Sequence, residues 1–307
     1  MTVAAPPKID PPAVACAWCG SQLPDDAPRH GGRVRCERCG AATTDPWPSD
    51  ATLRDAYAGW YRPAGGRFSG PGDAILKRSR GALARRLDAI APPGRVLDVG
   101  AGDGTLLDAL RRHGRDAIGL ELVSTRPDVR AQEIHDVEER DFAAIVFWHS
   151  LEHLRRPSEA LKAAAGKLAP NGVLVVAVPN SDSLQARLFG DRWLALDLPR
   201  HLVHLPARAL IARLGELGLK VTRTSHLRGG QVTFGWLHGL VGLLPGHPDL
   251  YDAIRRPDAR RTTLTKRTRA GVLAAAALLT PLAALSAAVE ALARRGGSIY
   301  VEAVRDA

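Results

Sequence analysis

Apolar positions first take on a regular period near Asp73. Ile75, Leu76, Leu83, Leu87 and Ile90 return at helical spacing, and Pro92-Pro93-Gly94 ends the segment, which predicts a helix beginning near Asp73. Val96 to Val99 then read as a short buried strand. Gly100, Gly102 and Gly104 predict a tight turn, with Thr105 to Arg112 opening a helix directly from it. Ala117 to Glu121 reads as the next strand, Pro157 to Leu168 as a helix, and Pro170-Asn171-Gly172 as a turn. Upstream of the first helix, Pro46, Pro48, Pro63, Gly65, Gly66, Gly70 and Gly72 mark a turn-rich stretch. Two apolar runs come late. Phe234 to Leu244 is the shorter, and Gly271 to Ala293, long enough to span a bilayer, is interrupted only by Pro281 and Glu290.

With 307 residues, 45% hydrophobic and 24% charged, the chain has globular composition and room for an accessory module beside one α/β domain. Its formal net charge of +10 directs attention to RNA, anionic lipid or phosphorylated partners. The charge is concentrated in one place. Arg255, Arg256, Arg260, Arg261, Lys266, Arg267 and Arg269 face a single Asp258 in that segment. Met1 to Pro12 lacks the charged start and apolar core of a secretory signal, so a cytoplasmic location is expected.

All four cysteines fall between Cys16 and Cys39, which leaves none for a scattered disulfide framework. Cys16-Ala-Trp-Cys19-Gly20 and Cys36-Glu-Arg-Cys39-Gly40 are a matched pair of knuckles. Each offers two thiolates to one ion, and the following glycine lets the backbone fold back over the sulfurs. Cys16, Cys19, Cys36 and Cys39 together suit a closed, structural zinc site. His30 is a bystander.

The bend from Gly100 to Gly104 has the chemistry of a nucleotide site, because glycines admit close approach and the helix start offers unpaired N–H groups. A dinucleotide fingerprint spaces its glycines as G-x-G-x-x-G; here the third comes one residue sooner. Asp98, two residues before the first glycine, would oppose a pyrophosphate and suit a cationic ligand.

Asp98-Val-Gly100-Ala-Gly102-Asp-Gly104 after a strand resembles the first motif of class I S-adenosylmethionine-dependent methyltransferases. The resemblance implies an α/β, Rossmann-like sheet of seven strands, with an N-terminal zinc ribbon and a helical insertion before the last strand. Within it, Asp141 to Phe147 resembles the fourth strand, Gly172 to Asn180 the fifth, Lys220 to Leu227 the sixth and Ser298 to Arg305 the seventh. The expected division is a ribbon over 1–50, a methyltransferase domain over 51–228 and 298–307, and an insertion over 229–297. Asp98, Gly100, Gly102, Gly104, Glu121, Leu122 and His149 are expected to hold the cofactor, with Glu121 on the ribose hydroxyls. Only a short link with Pro127 separates Glu121 from a third strand near Val129, so the usual helix there is expected to be shortened or lost; Asp136 is the candidate for the adenine contact.

The block His149-Ser-Leu-Glu152-His153, then Val178-Pro-Asn180, then Leu198-Pro-Arg-His201 is similar to the subgroup that includes ubiquinone-biosynthesis O-methyltransferases. Two chemistries fit it. His201, with His204 nearby, can take the proton from an acceptor hydroxyl, since imidazole titrates near neutrality. Alternatively His149, Glu152 and His153, at i, i+3 and i+4, share one side of a helical turn and with His204 can bind a divalent ion. A third option is that these residues only brace the helix and line the pocket. The expected partner is a small-molecule or lipid-linked acceptor, with peripheral membrane contact through 232–293. A single crossing by 271–293 is not expected, because it would separate the sixth and seventh strands. Nucleic acid is a weaker expectation, because no aromatic-plus-basic strand surface is evident. The alternatives kept open are an RNA methyltransferase and a non-catalytic, cofactor-binding scaffold.

Overall fold

A computed structural model describes residues 12–57, 68, 72–122, 124, 126–227 and 229–305. The N-terminal stretch 1–11 and Pro63, Gly65, Gly66 and Gly70 of the turn-rich segment lie outside the described residues. The cysteine knuckles bracket and adjoin three short antiparallel strands: β1 (Arg29–His30), β2 (Arg33–Arg35) and β3 (Ala42–Thr44). Helices α1 (Asp50–Tyr57) and α2 (Gly72–Ile90) follow. The predicted stripe of α2 is buried only in its second half, where Leu83 and Leu87 pack with Leu106, Leu107 and Leu110; Ile75 and Leu76 are exposed.

The alternation of strand and helix then runs β4 (Val96–Val99), α3 (Thr105–Arg112), β5 (Ala117–Leu120), β6 (Val129–Arg130) and β7 (Phe142–Trp148). It continues through α4 (Pro157–Lys167), β8 (Leu168–Pro179), α5 (Leu184–Phe189), β9 (Val203–His204), α6 (Ala207–Glu216) and β10 (Leu219–Ser225). The insertion comprises α7 (Gly229–Gly242), α8 (Leu250–Ile254) and α9 (Lys266–Leu292), and β11 (Ser298–Arg305) completes the chain of elements.

Seven strands form one sheet in the order β10-β11-β8-β7-β4-β5-β6. The strands from β4 to β8 pair in parallel, and β11 lies antiparallel between β8 and β10. Both faces are covered, which is why β7 and the second half of β8 are continuous apolar runs. From β4 the chain first builds β5 and β6 on one side, then returns to place β7 on the other. A crevice therefore opens at the carboxyl end of β4, where ligands bind in sheets of this kind. The Pro170-Asn171-Gly172 turn is taken up inside β8 instead of preceding it. The stretch of β8 from Leu168 to Val173 stands opposite the shorter stretch of β7 from Phe142 to Ala144, and Asn171 has φ 60°.

The small sheet of the cysteine module also takes in a strand from far along the chain. Its sheet gains a fourth strand, β9, through Ala42↔His204 and Thr43↔Val203, so it is sewn onto the segment that carries the two late histidines.

The insertion leaves the sheet from β10 and returns at β11. Ser225 pairs with Tyr300 and Leu219 with Arg305, so a single bilayer crossing between them is incompatible with this sheet. Among the described residues, α9 alone is long and apolar enough to cross a membrane. The helix runs continuously through Pro281 and Glu290, the two residues that interrupt its apolar run in the sequence. Glu290 turns inward, fully buried, and accepts from Trp236 Nε1 (2.8 Å), Gln185 N and Nε2 (both 2.9 Å) and Gly297 N (3.2 Å). That carboxylate latches the end of α9 to α5, α7 and the start of β11.

Candidate active site

At the carboxyl end of β4 the three glycines all adopt positive φ, at 83°, 62° and 72° for Gly100, Gly102 and Gly104. Gly100 has a second constraint. A Cβ there would stand 2.3 Å from Ser150 Cβ, and the Ser150 hydroxyl donates to Val99 O, so the loops after β4 and β7 are in direct contact. Glu121, just past β5, accepts from the amides of Gly102 and Leu122, both at 3.1 Å. The acid expected to meet a sugar thus already braces the bend, and a carboxylate has lone pairs for further donors. Leu122 is exposed. Asp136 is exposed too, at the end of a 3-10 turn (Ile134–Asp136) following β6, two strands along from β4.

Asp98 is buried, and its Oδ1 has no hydrogen-bond partner among the described residues. Burial pushes its carboxyl up to about 7; Arg80 opposes this, while Glu121 and Asp103 reinforce it. A buried carboxylate with an unsatisfied oxygen at a glycine-lined crevice is costly unless a further positive group arrives. The donor set fits a cationic nucleoside: one unpaired acid for an ammonium, and an acid at the next strand end for hydroxyls.

On the neighbouring strand end, β7 leads to His149, whose φ of 52° is unusual for a residue with a side chain. Its Nδ1 lies 3.5 Å from Glu152 Oε1, and its Nε2 is buried without a partner. The helical turn expected over 149–153 is shorter: a 3-10 turn spans Leu151–His153, and His149 reaches Glu152 from the strand end instead. Glu152 is buried, and among the described residues neither carboxylate oxygen has a hydrogen-bond partner. Burial raises its pKa, but the facing His149, His201 and His153 imidazoles outweigh that and hold it at about 2.

The segment before β9 brings His201 into this group. Its Nδ1 lies 2.9 Å from Ala195 O, an atom that only accepts, so Nδ1 carries the proton and Nε2 is left as the basic atom. That Nε2 sits 3.6 Å from Asp197 Oδ2 and 3.9 Å from Glu152 Oε1. His153 is fixed the same way, with Nδ1 at 3.0 Å from Arg200 O and 2.9 Å from the Tyr57 hydroxyl. Burial, with His201 nearby, lowers its pKa to about 4. Ligand atoms of Glu152, His153 and His201 all lie within 4.8 Å of one another.

His204 stands apart from that cluster. Its Nε2 lies 3.1 Å from Thr44 Oγ1, and burial, then His201 and Arg33, lowers its pKa to about 3. Of the metal-binding set expected from sequence, only Glu152 and His153 come together, joined by His201; His149 is not in the group, and neither is His204, whose ring lies against Thr44 of β3. Thr44, Tyr57, Asp197 and Ser150 carried no expected role. Asp197 alone had a local signal, since it opens the Leu198-Pro-Arg-His201 block.

The four thiols meet as expected. Cys16 Sγ–Cys39 Sγ and Cys19 Sγ–Cys36 Sγ are each 3.6 Å, and all four sulfurs lie within 4.8 Å. Four sulfurs at about 2.3 Å from one tetrahedral ion stand about 3.8 Å apart, so the set fits such an ion. Gly20 and Gly40 take φ of 72° and 76° to close the two knuckles.

Residues 75–224 match a family described as "Methyltransferase domain". A ubiquinone biosynthesis O-methyltransferase from Xanthomonas campestris pv. campestris (strain B100) is 29% identical over 143 residues, covering 39% of this chain and 60% of that protein. One from Xylella fastidiosa (strain M23) is 34% identical over 103 residues, covering 28% and 42%. The chain thus spans at most about three fifths of the length of these two relatives. Among solved structures, the [4+2]-cyclase SpnF has the same fold, with a TM-score of 0.50 at 18% identity over 84% of this chain and 97% of that one.

Proposed function

From the premise that this chain carries a class I S-adenosylmethionine-dependent methyltransferase domain, we propose that it methylates an oxygen of a small or lipid-linked acceptor. The observation that carries the proposal is Asp98, a buried carboxyl at the switch point of the sheet whose Oδ1 has no hydrogen-bond partner among the described residues. S-adenosylmethionine supplies a methyl on a sulfonium, together with the ammonium that Asp98 is suited to meet. Glu121 suits its ribose hydroxyls, and the amides at the start of α3 suit its carboxylate. His201 accepts the acceptor's hydroxyl proton at Nε2, while Asp197 and Glu152 stabilise the imidazolium that results. Incubation with labelled cofactor and cell extract, followed by identification of the labelled product, tests this; label on nitrogen or carbon only would refute O-methylation.

A second chemistry is favoured by Glu152, whose two buried oxygens lack partners beside two imidazoles held by backbone carbonyls. Glu152, His153 and His201 would then hold a divalent ion that lowers the acceptor hydroxyl's pKa. Activity abolished by chelator and restored by added magnesium or manganese marks this case; indifference to both marks the base.

The four-cysteine set is proposed as structural zinc. Metal analysis of reduced protein should return about one zinc per chain, and stripping it should lower the melting temperature, since a module this small has little core of its own. A ratio near zero in folded protein contradicts this.

A lipid-linked acceptor is supported by α9. Leu278, Leu282, Leu285, Val289 and Leu292 are exposed along one side, with Lys266 and Arg267 at one end and Arg294 and Arg295 at the other. Pairing two copies of this helix in either direction sets basic ends against basic ends, whereas an anionic bilayer satisfies both. The full protein should float with vesicles containing phosphatidylglycerol, and the double change Leu282→Glu, Leu285→Glu should leave it in the soluble fraction. Flotation unaffected by that change removes the helix from consideration.

A further inference from the structure

The pairing of β3 with β9 gives the cysteine module a task beyond its own stability. Thr44, the last residue of β3, is buried and makes three contacts with the late histidine segment. Its amide donates to Leu202 O at 3.1 Å. Its hydroxyl donates to the backbone carbonyl of His201 at 2.5 Å. A hydroxyl has a single proton, so the 3.1 Å contact with His204 Nε2 runs the other way, with the ring donating to Thr44 Oγ1. Leu202 N in turn donates to Glu152 O at 2.8 Å, which brings the chain of contacts to the centre of the cluster.

Both knuckles hold β3. Ala17 N donates to Thr43 Oγ1 at 2.9 Å, and Cys36 N to Ala41 O at 2.8 Å. An ion on the four sulfurs would fix both knuckles, and through them the strand that ends in Thr44. The cofactor side is built differently. Asp98, the glycine bend and Glu121 belong to β4, β5 and their loops, and among the described residues no strand of the cysteine module pairs with these.

We propose that the cysteine module positions the acceptor side of the active site, with Thr44 as the positioning residue that holds the His201–His204 segment in register. This rests on His201 belonging to the acceptor side. It separates two properties that a merely stabilising module would move together: Thr44 governs the histidines and turnover, while cofactor affinity stays with the β4 loop.

The test uses full-length, metal-loaded protein with Thr44→Val, which keeps the branched shape and removes the hydroxyl, and Thr44→Ser, which restores it. Histidine ring nitrogen resonances are recorded alongside cofactor calorimetry and the rate of methyl transfer into cell extract. For Thr44→Val the expected result is shifted His201 and His204 signals, transfer slowed about tenfold or more, and cofactor Kd unchanged within about twofold. Thr44→Ser should return the signals and the rate to those of the parent. Removing the metal with a chelator should reproduce the same ring shifts at unchanged cofactor Kd, which keeps the inference testable should the Val protein not fold. Unmoved ring signals in both Thr44→Val and stripped protein would overturn it, as would cofactor affinity falling in step with the rate. A parent protein that binds no cofactor would instead strike at the methyltransferase assignment and leave the ring-signal comparison to decide this one.

Discussion

Asp98→Asn is expected to weaken S-adenosylmethionine binding by at least about 100-fold while making the empty protein more stable at neutral and alkaline pH. The first effect follows from removing the one charge in the crevice suited to an ammonium; losing one member of a buried charged pair costs several kcal/mol. The second follows from burial, which raises Asp98 from an ordinary 3.8 to about 7. Between those values the folded chain holds a proton that the unfolded chain has released. Unfolding free energy therefore falls as pH rises through that window and remains lowered above it, by roughly 4 kcal/mol. Below about pH 4 the penalty is absent. Melting curves of parent and variant should coincide near pH 4 and diverge up to about pH 8, with the variant higher. Cofactor binding to the parent near pH 7 should also release protons, visible as a buffer-dependent heat. An Asn variant that binds the cofactor as the parent does would falsify the role given to Asp98.

His201→Ala should lower kcat by about 100- to 1,000-fold with cofactor Kd unchanged, the range expected on losing a general base. The ring is buried and packs edge-on to His153, with centroids 4.6 Å apart, but it lies outside the glycine bend. Two companions separate base from metal. If His201 works alone as the base, Glu152→Gln reduces kcat less, because Asp197 still faces the imidazolium. If the cluster holds a divalent ion, Glu152→Gln and His153→Ala each match His201→Ala, and a chelator alone has the same effect on the parent. Equal cofactor and kcat losses in His201→Ala would show that the residue supports the fold and not the transfer.

The cofactor side was legible in the sequence because its parts are local. Asp98, the three glycines and Glu121 fall within one strand–turn–helix–strand unit, so spacing alone specifies what meets what. The acceptor side was less so. His201 and His204 are adjacent in the motif, yet they face different partners. His201 is held by Ala195 O before β9 begins, and His204 lies within β9, against Thr44. The β3–β9 pairing joins two very short strands about 160 residues apart, and neither carries a periodicity that announces a partner. The same limit explains Glu290. In the linear sequence it interrupts an apolar run; in three dimensions it faces α5 and α7 and leaves the outer side of α9 apolar. Ile75 and Leu76 err the other way, counted toward a core that only the second half of α2 reaches.

The placement of β11 between β8 and β10 has a consequence for synthesis. Until Ser298 to Arg305 have left the ribosome, β10 has nothing to join, and β8 presents an apolar, unpaired edge to its surroundings. At about 5–20 residues per second, synthesis from Pro179 to Arg305 takes from about six to about twenty-five seconds, an interval in which that edge is open to pairing elsewhere.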